Sequence, residues 1–161
     1  MDPVNAAAIS TPVVAAVMSL LVICPAAPLP SAIPVLVDSG CASLKDAVQL
    51  LERGATALSV KPGRIGITEA RRIAELAAQK GANVCSGMYA ESALGTLISL
   101  QFSCALGKPL VPAEQSFYLM MRDQILREPL PIAGGRVRLP ATGDIASLID
   151  WDRVERHGFR F

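Results

Sequence analysis

The chain has 161 residues, 52% hydrophobic and 18% charged, with 15 Lys and Arg against 14 Asp and Glu. This apolar excess excludes a disordered chain and suffices for one domain with its own core, and the near-neutral charge leaves no basic field to attract a nucleic-acid backbone. Four cysteines, Cys24, Cys41, Cys85 and Cys104, include no CxxC pair, and His157 is the only histidine, which argues against a zinc site or disulfide framework and for reduced, buried thiols in a cytoplasmic protein.

From Ala6 to Leu29 the chain carries no charge. Pro12, Pro25 and Pro28 leave an unbroken apolar run only from Val13 to Cys24, short of the roughly 20 residues a hydrocarbon core requires. No Lys or Arg precedes it, so the basic start of a secretory signal is missing. The segment is read as buried, with a membrane anchor as the less favoured alternative. Residues 1–32 are set apart from the regular pattern that follows.

That pattern starts with IPVLVD, Ile33 to Asp38, a short apolar run rich in β-branched residues. SLKDAVQLLERG follows, with Leu44, Val48 and Leu51 at helical spacing and Gly54 as a stop. The unit returns as ATALSVK and TEARRIAELAAQKG, where Ala70, Ile73, Ala74 and Ala77 share a face before Gly81. It returns again as ANVCSG and ESALGTLISLQFSCALG, closed by Gly107. The strand starts near Ile33, Ala57 and Ala82 lie about 25 residues apart, a period suited to alternating strand and helix. PLVPAE, Pro109 to Glu114, reads as a further strand. EPLPIAGGRVRLP reads as a hairpin around Gly134 and Gly135 with Arg136 and Arg138 outward.

Repeated βα units imply parallel strands joined by right-handed crossovers, either as an open doubly wound sheet or as a (β/α)8 barrel. Neither GxGxxG nor GxxxxGK[ST] occurs, which disfavours the nucleotide-binding open sheet. Asp38, Lys61 and Glu114 fall at or just beyond strand carboxyl ends, with Ser86 to Tyr89 in the equivalent place on the third strand. In barrels that face carries the active site. The expected fold class is therefore α/β, with a (β/α)8 barrel favoured over the open sheet. A partly desolvated lysine at such a mouth can exchange protons with a substrate; the alternative is a lysine extending from a strand end to solvent.

VDSGCASLKDA, ALSVKPGRIGITEARRIAELAAQKG, SGMYAESALGT and AEQSFYLMMRDQILREPLPIAGGRVRLP resemble, in unbroken order, successive parts of the carboxyl-terminal barrel domain of the muconate and chloromuconate cycloisomerases. These belong to the mandelate racemase and muconate lactonizing branch of the enolase superfamily. The resemblance covers about residues 33–140 and implies the last four βα units of a barrel, with residues 141–161 as a tail. It implies Asp38 as one of three carboxylates holding Mn2+ or Mg2+, Lys61 as one of two acid/base lysines, and Glu114 as a site carboxylate near the substrate. The implied chemistry is metal stabilisation of an enolate-like intermediate while a lysine moves the proton alpha to a carboxylate. In the cycloisomerases this interconverts cis,cis-muconate and muconolactone.

Several positions depart from the family pattern. Ser39 and Gly40 follow Asp38 where the family has Asp-Glu-Ser; Gly66 stands alone where it has two glycines; PATGDIASLID replaces a glycine-rich segment. Residues 1–34 hold Asp2 as their only acid and no lysine, so they supply neither the Lys-x-Lys nor the other metal carboxylates that the resemblance implies. Three functions follow as alternatives: a cycloisomerase-type enzyme of weak activity alone, another racemase or epimerase of the superfamily, or an inactive remnant that serves in association. Unpaired strand edges favour self-association. The remaining expectations are solvated helix faces at Glu69 to Arg72 and Arg122 to Arg127, and packing roles for Met88, Met120 and Met121. Trp151 is expected to anchor a final short helix, with His157 on its surface.

Overall fold

Two of the helices begin at a serine that satisfies the open backbone of the first turn, and the strands between them align side by side. The computed structural model describes residues 34–106 and 113–158. Strand β1 is Leu36–Val37, helix α1 Leu44–Glu52, β2 Ala57–Val60, α2 Pro62–Ile65, α3 Ile67–Gln79, β3 Asn83–Ser86 and α4 Ala93–Ala105. A 3-10 turn at Phe117–Met120, the β4–β5 hairpin (Ile132–Ala133 and Arg136–Val137), a second 3-10 turn at Ala146–Leu148 and α5 (Trp151–His157) complete it.

At α1 the Ser43 hydroxyl accepts from the Asp46 N–H at 3.2 Å and donates to Asp46 Oδ2 at 2.8 Å, while the same carboxylate accepts from the Ala42 N–H at 3.2 Å. Aspartate thus stands in for the glutamate of a capping box. Ser43→Ala is expected to cost about 1 kcal/mol, read from a urea unfolding midpoint. Glu69 Oε1 accepts from the Leu44 N–H at 2.8 Å, so Glu69 belongs to the start of α1 rather than to a solvated helix face. At α4 the Ser92 hydroxyl accepts from the Gly95 N–H at 3.5 Å, and Gln124 Oε1 accepts from the Ala93 N–H at 2.7 Å. The stretch from Arg122 to Arg127 is not helical. It holds that cap and Leu126, which is 4% exposed, correcting the expectation of a solvated helix face.

The three strands pair in parallel, in the order β1, β2, β3. Val37 lies opposite Leu58, Leu58 opposite Val84, Ser59 opposite Cys85 and Val60 opposite Ser86. Side chains alternate across a strand. Leu58 and Val60 therefore face the helices, within a core that includes Ala47, Ala70, Ile73, Ala74, Ala77 and Phe102. The opposite face carries Ala57, Ser59 and then Lys61. β2 is flanked on both sides and is buried along its length, as a central parallel strand should be. A second cluster, with Leu97, Leu100, Tyr118, Leu126, Leu130 and Val137, ties α4 to the carboxyl-terminal segment.

The α3 face formed by Ala70, Ile73, Ala74 and Ala77 is buried as the spacing requires. On α1 the buried position is Ala47, while Val48 is 36% exposed, because the helix approaches the core most closely at a small side chain. β1 covers two residues rather than Ile33 to Asp38. The segment Ala6 to Leu29, Gly107 and most of the strand expected from Pro109 lie outside the described residues, and Ala113 and Glu114 are not in a strand. The hairpin turns at Gly134 and Gly135, with φ of 56° and 71°, the left-handed values that a two-residue turn of this twist demands. Arg136 and Arg138 point outward there. Trp151 is 53% exposed and does not anchor α5; Met120 and Met121, at 71% and 39% exposed, do not pack inside. His157 is exposed, as expected. Among the described residues no helix is long and apolar enough to cross a membrane.

Candidate functional site

The pairing of Val37 with Leu58 and of Ser59 with Cys85 continues past β1 to put Asp38, Ser59 and Cys85 in one layer on the face away from the helices. One step further toward the strand ends, Lys61 and Gly87 stand side by side. Lys61 is 9% exposed. Its Nζ lies 2.6 Å from Asp38 Oδ1 and donates to the Met88 C=O at 3.0 Å. Asp38 Oδ2 accepts from the Ser39 hydroxyl at 3.2 Å. Arg64 Nη1 donates to the Ser39 C=O at 2.8 Å, joining the loops that follow β1 and β2. The lysine therefore does not extend to solvent; it is fixed between a carboxylate and a peptide carbonyl.

Glu114 approaches from beyond α4. Its backbone N–H donates to the Ser86 C=O at 3.1 Å, and the neighbouring Gln115 Nε2 donates to the Ser86 and Gly87 carbonyls at 3.2 and 3.0 Å. Cys85, 1% exposed, senses the whole group. Burial pushes its thiol up to about 12 and the Glu114 carboxylate adds to the rise, while the Glu114 backbone N–H and the Lys61 ammonium oppose it and Asp38 raises it slightly. Asp38 and Lys61 are thus in direct contact, and among the described residues Glu114 joins them through its backbone and its field rather than by an ion pair. Cys85 and Cys41, whose thiol burial pushes up to about 11, are inert packing groups at neutral pH.

Burial alone would raise the Asp38 carboxyl. The hydrogen bond from Lys61, the Ser59 hydroxyl, the Lys61 charge and the Ser39 hydroxyl outweigh it and hold the group below the ordinary 3.8. Lys61 Nζ meets Asp38 Oδ1 at 2.6 Å, whereas the Ser59 hydroxyl has no well-aligned hydrogen-bond partner and acts as a nearby dipole. A depressed carboxyl stabilises the folded chain fully above its unfolded value and loses that contribution as pH falls through the folded one. The stability difference between the parent chain and Asp38→Asn is accordingly expected to be flat from about pH 5 to pH 7 and to close below pH 3.8. Urea unfolding across that range checks it, and a gap that stays constant at acid pH would remove Asp38 from the acid transition.

The resemblance implies Mn2+ or Mg2+ at Asp38. Such hard cations take several oxygen ligands in a fixed geometry. Here the one carboxylate of the layer is engaged by the Lys61 ammonium, and the Ser59 hydroxyl beside it is neutral. Among the described residues there is no group of three or more His, Cys, Asp or Glu able to hold a metal ion. These residues do not fit a divalent cation by themselves.

Three members of this constellation escape a search for charged residues. Ser59 precedes Lys61 by two residues and is found by strand alternation alone. Gln115 adjoins Glu114 and supplies the amide that holds the end of β3. Gly87 is required because a Cβ there would fall on Ser59 Oγ and within 3.1 Å of Lys61 Cγ.

The sequence profile of the family described as enolase C-terminal domain-like matches residues 15–143. Muconate cycloisomerase 1-2 of Acinetobacter lwoffii is 27% identical over 126 residues, which cover 77% of this chain and 33% of that protein. The o-succinylbenzoate synthase of Geobacillus stearothermophilus is 30% identical over 128 residues, 77% of this chain and 34% of that protein. The muconate lactonizing enzyme of Klebsiella pneumoniae superposes with a TM-score of 0.71 at 27% identity, covering 80% of this chain and 36% of that one. This chain spans about a third of the length of the curated relatives it matches.

Proposed function

Because the chain belongs to the enolase C-terminal domain-like family, we propose that it carries the proton-transfer side of a cycloisomerase-type site, with Lys61 acting at the carbon alpha to a carboxylate. The observation that carries this reading is the placement of Lys61. Its ammonium, 9% exposed, is fixed at the end of the central strand by Asp38 at 2.6 Å and by the Met88 C=O at 3.0 Å. A fixed acid/base group loses little motion on reaching the transition state. As the amine, Lys61 takes the alpha proton of the substrate; as the ammonium, it returns a proton to that carbon. Asp38 holds the charged form in place, and Glu114 serves as the site carboxylate near the substrate. The substrate class is a small carboxylate, for which muconolactone and cis,cis-muconate are the probes.

A chimera tests the reading. Residues 33–143 of this chain replace the matching part of the Klebsiella pneumoniae muconate lactonizing enzyme, and loss of cis,cis-muconate is followed by its ultraviolet absorbance. Turnover is expected. A chimera that is soluble and folded yet inactive would sink the proposal.

The second reading, an inactive association module, is favoured by the single engaged carboxylate and by the missing metal cluster among the described residues. In this reading the chain alone gives no turnover. It associates through β1, an outer strand of the sheet among the described residues, whose backbone groups a parallel neighbour can pair. Light scattering after size-exclusion chromatography is expected to give an oligomer; a monodisperse monomer would refute this reading.

A further inference from the structure

The peptide between Met88 and Tyr89 is gripped from both ends. Its C=O accepts from Lys61 Nζ at 3.0 Å, and its N–H donates to Glu91 Oε2 at 2.5 Å. The peptide is trans, so these two groups point in opposite directions. A carboxylate, a peptide dipole and an ammonium therefore stand in line, the negative charge at the N–H end and the positive charge at the C=O end. Hydrogen bonds to charged groups are the stronger ones, and each bond in such a chain polarises the next.

The local backbone is shaped to make this line. Ala90, at φ 52°, is the one non-glycine residue with positive φ among the described residues. Its left-handed turn folds Glu91 back onto the N–H two positions earlier, the kind of unfavourable conformation that persists where its surroundings demand it. Glu91 also lies where glycines leave room. A Cβ on Gly63, in the turn after Lys61, would come within 2.7 Å of Glu91 Oε1, and a Cβ on Gly95, in α4, within 2.8 Å of Glu91 Cβ. Oε1 itself is buried without a hydrogen-bond partner. One polar contact and two glycine-lined surfaces thus define where the carboxylate sits.

From this geometry we infer that Glu91 is a positioning residue for Lys61, acting through the 88–89 peptide, with Gly63 and Gly95 as the space it needs. The inference rests on the reading of Lys61 as the acid/base group, but its test does not depend on turnover. In the full chain, amide hydrogen exchange at Tyr89 and acylation of Lys61 by an N-hydroxysuccinimide ester are both followed by mass spectrometry. Glu91→Ala is expected to speed both about tenfold, and Glu91→Gln, which keeps an acceptor oxygen, to bring both back within about threefold of the parent. Gly63→Ala keeps the carboxylate but displaces it and is expected to behave as Glu91→Ala. Asp38→Asn is expected to speed Lys61 acylation while Tyr89 stays protected, which separates the two holds on the ammonium. If Tyr89 exchange rises in Glu91→Ala and in Gly63→Ala while Lys61 acylation keeps the parent rate, the inference is overturned. Should Glu91→Ala fail to fold, the Gly63→Ala result decides alone. An inactive chimera would leave these readouts standing, and unchanged readouts would leave the activity of a working chimera unexplained by Glu91.

Discussion

Lys61→Met lowers turnover of cis,cis-muconate by the chimera about 10²- to 10⁴-fold, the range that a positioned proton-transfer group supplies. Methionine keeps most of the length and apolar body of lysine and removes only the ammonium, so the β2 end retains its packing. The partner is the concern, because Asp38 loses the charge 2.6 Å away. Its side chain remains 24% exposed, and water reaches it, so the stability cost is limited to about 1 kcal/mol. Turnover and urea unfolding measured on the same preparation separate the two effects. A Met variant that keeps more than about a tenth of the parent rate would take Lys61 out of the chemistry.

Gly87→Ala costs about 1–3 kcal/mol of stability, as overpacking of a filled interior does. The added methyl falls on Ser59 Oγ, a group with no exposure, and also meets Lys61 Cγ at 3.1 Å and Nζ at 3.4 Å. The backbone cannot retreat, because the Gly87 N–H donates to the Val60 C=O at 2.9 Å and the Gly87 C=O accepts from Gln115 at 3.0 Å. Ser59→Gly in the same chain removes the obstructing hydroxyl. The double variant is expected to recover part of the loss, and the coupling is read from a double-mutant cycle of unfolding free energies. Additive effects would mean that the methyl clashes elsewhere.

Legibility from sequence followed the range of the interaction. The α3 face, the alternation through β2 and the glycine-centred hairpin are local, and their patterns are plain in residues 57–81 and 128–140. The placement of Lys61 at a strand end was equally local. In sequence Glu69 looks solvated, because its partner, the Leu44 N–H, lies 25 residues away, a separation that carries no pattern. Val48 outranks Ala47 in hydrophobicity, yet the point of closest approach selects the smaller side chain. Short elements such as α5 bury too little for composition to say which way Trp151 turns. Of the site, Asp38, Lys61 and Glu114 announced themselves as charges at strand ends, whereas Ser59, Gly87 and Glu91 matter through neighbours brought together only by the parallel register and by the turn at Ala90.

Gln124 closes the amino end of α4 from 31 residues away. On a ribosome, α4 emerges well before Gln124 does, and until then the Ala93 N–H has only water to accept it. The start of α1 is likewise shared with Glu69, 25 residues downstream of Leu44. Each helix thus waits for a later part of the chain to complete its first turn. The growing polypeptide acquires its order retroactively, with α3 completing the start of α1 and the segment after α4 completing the start of α4.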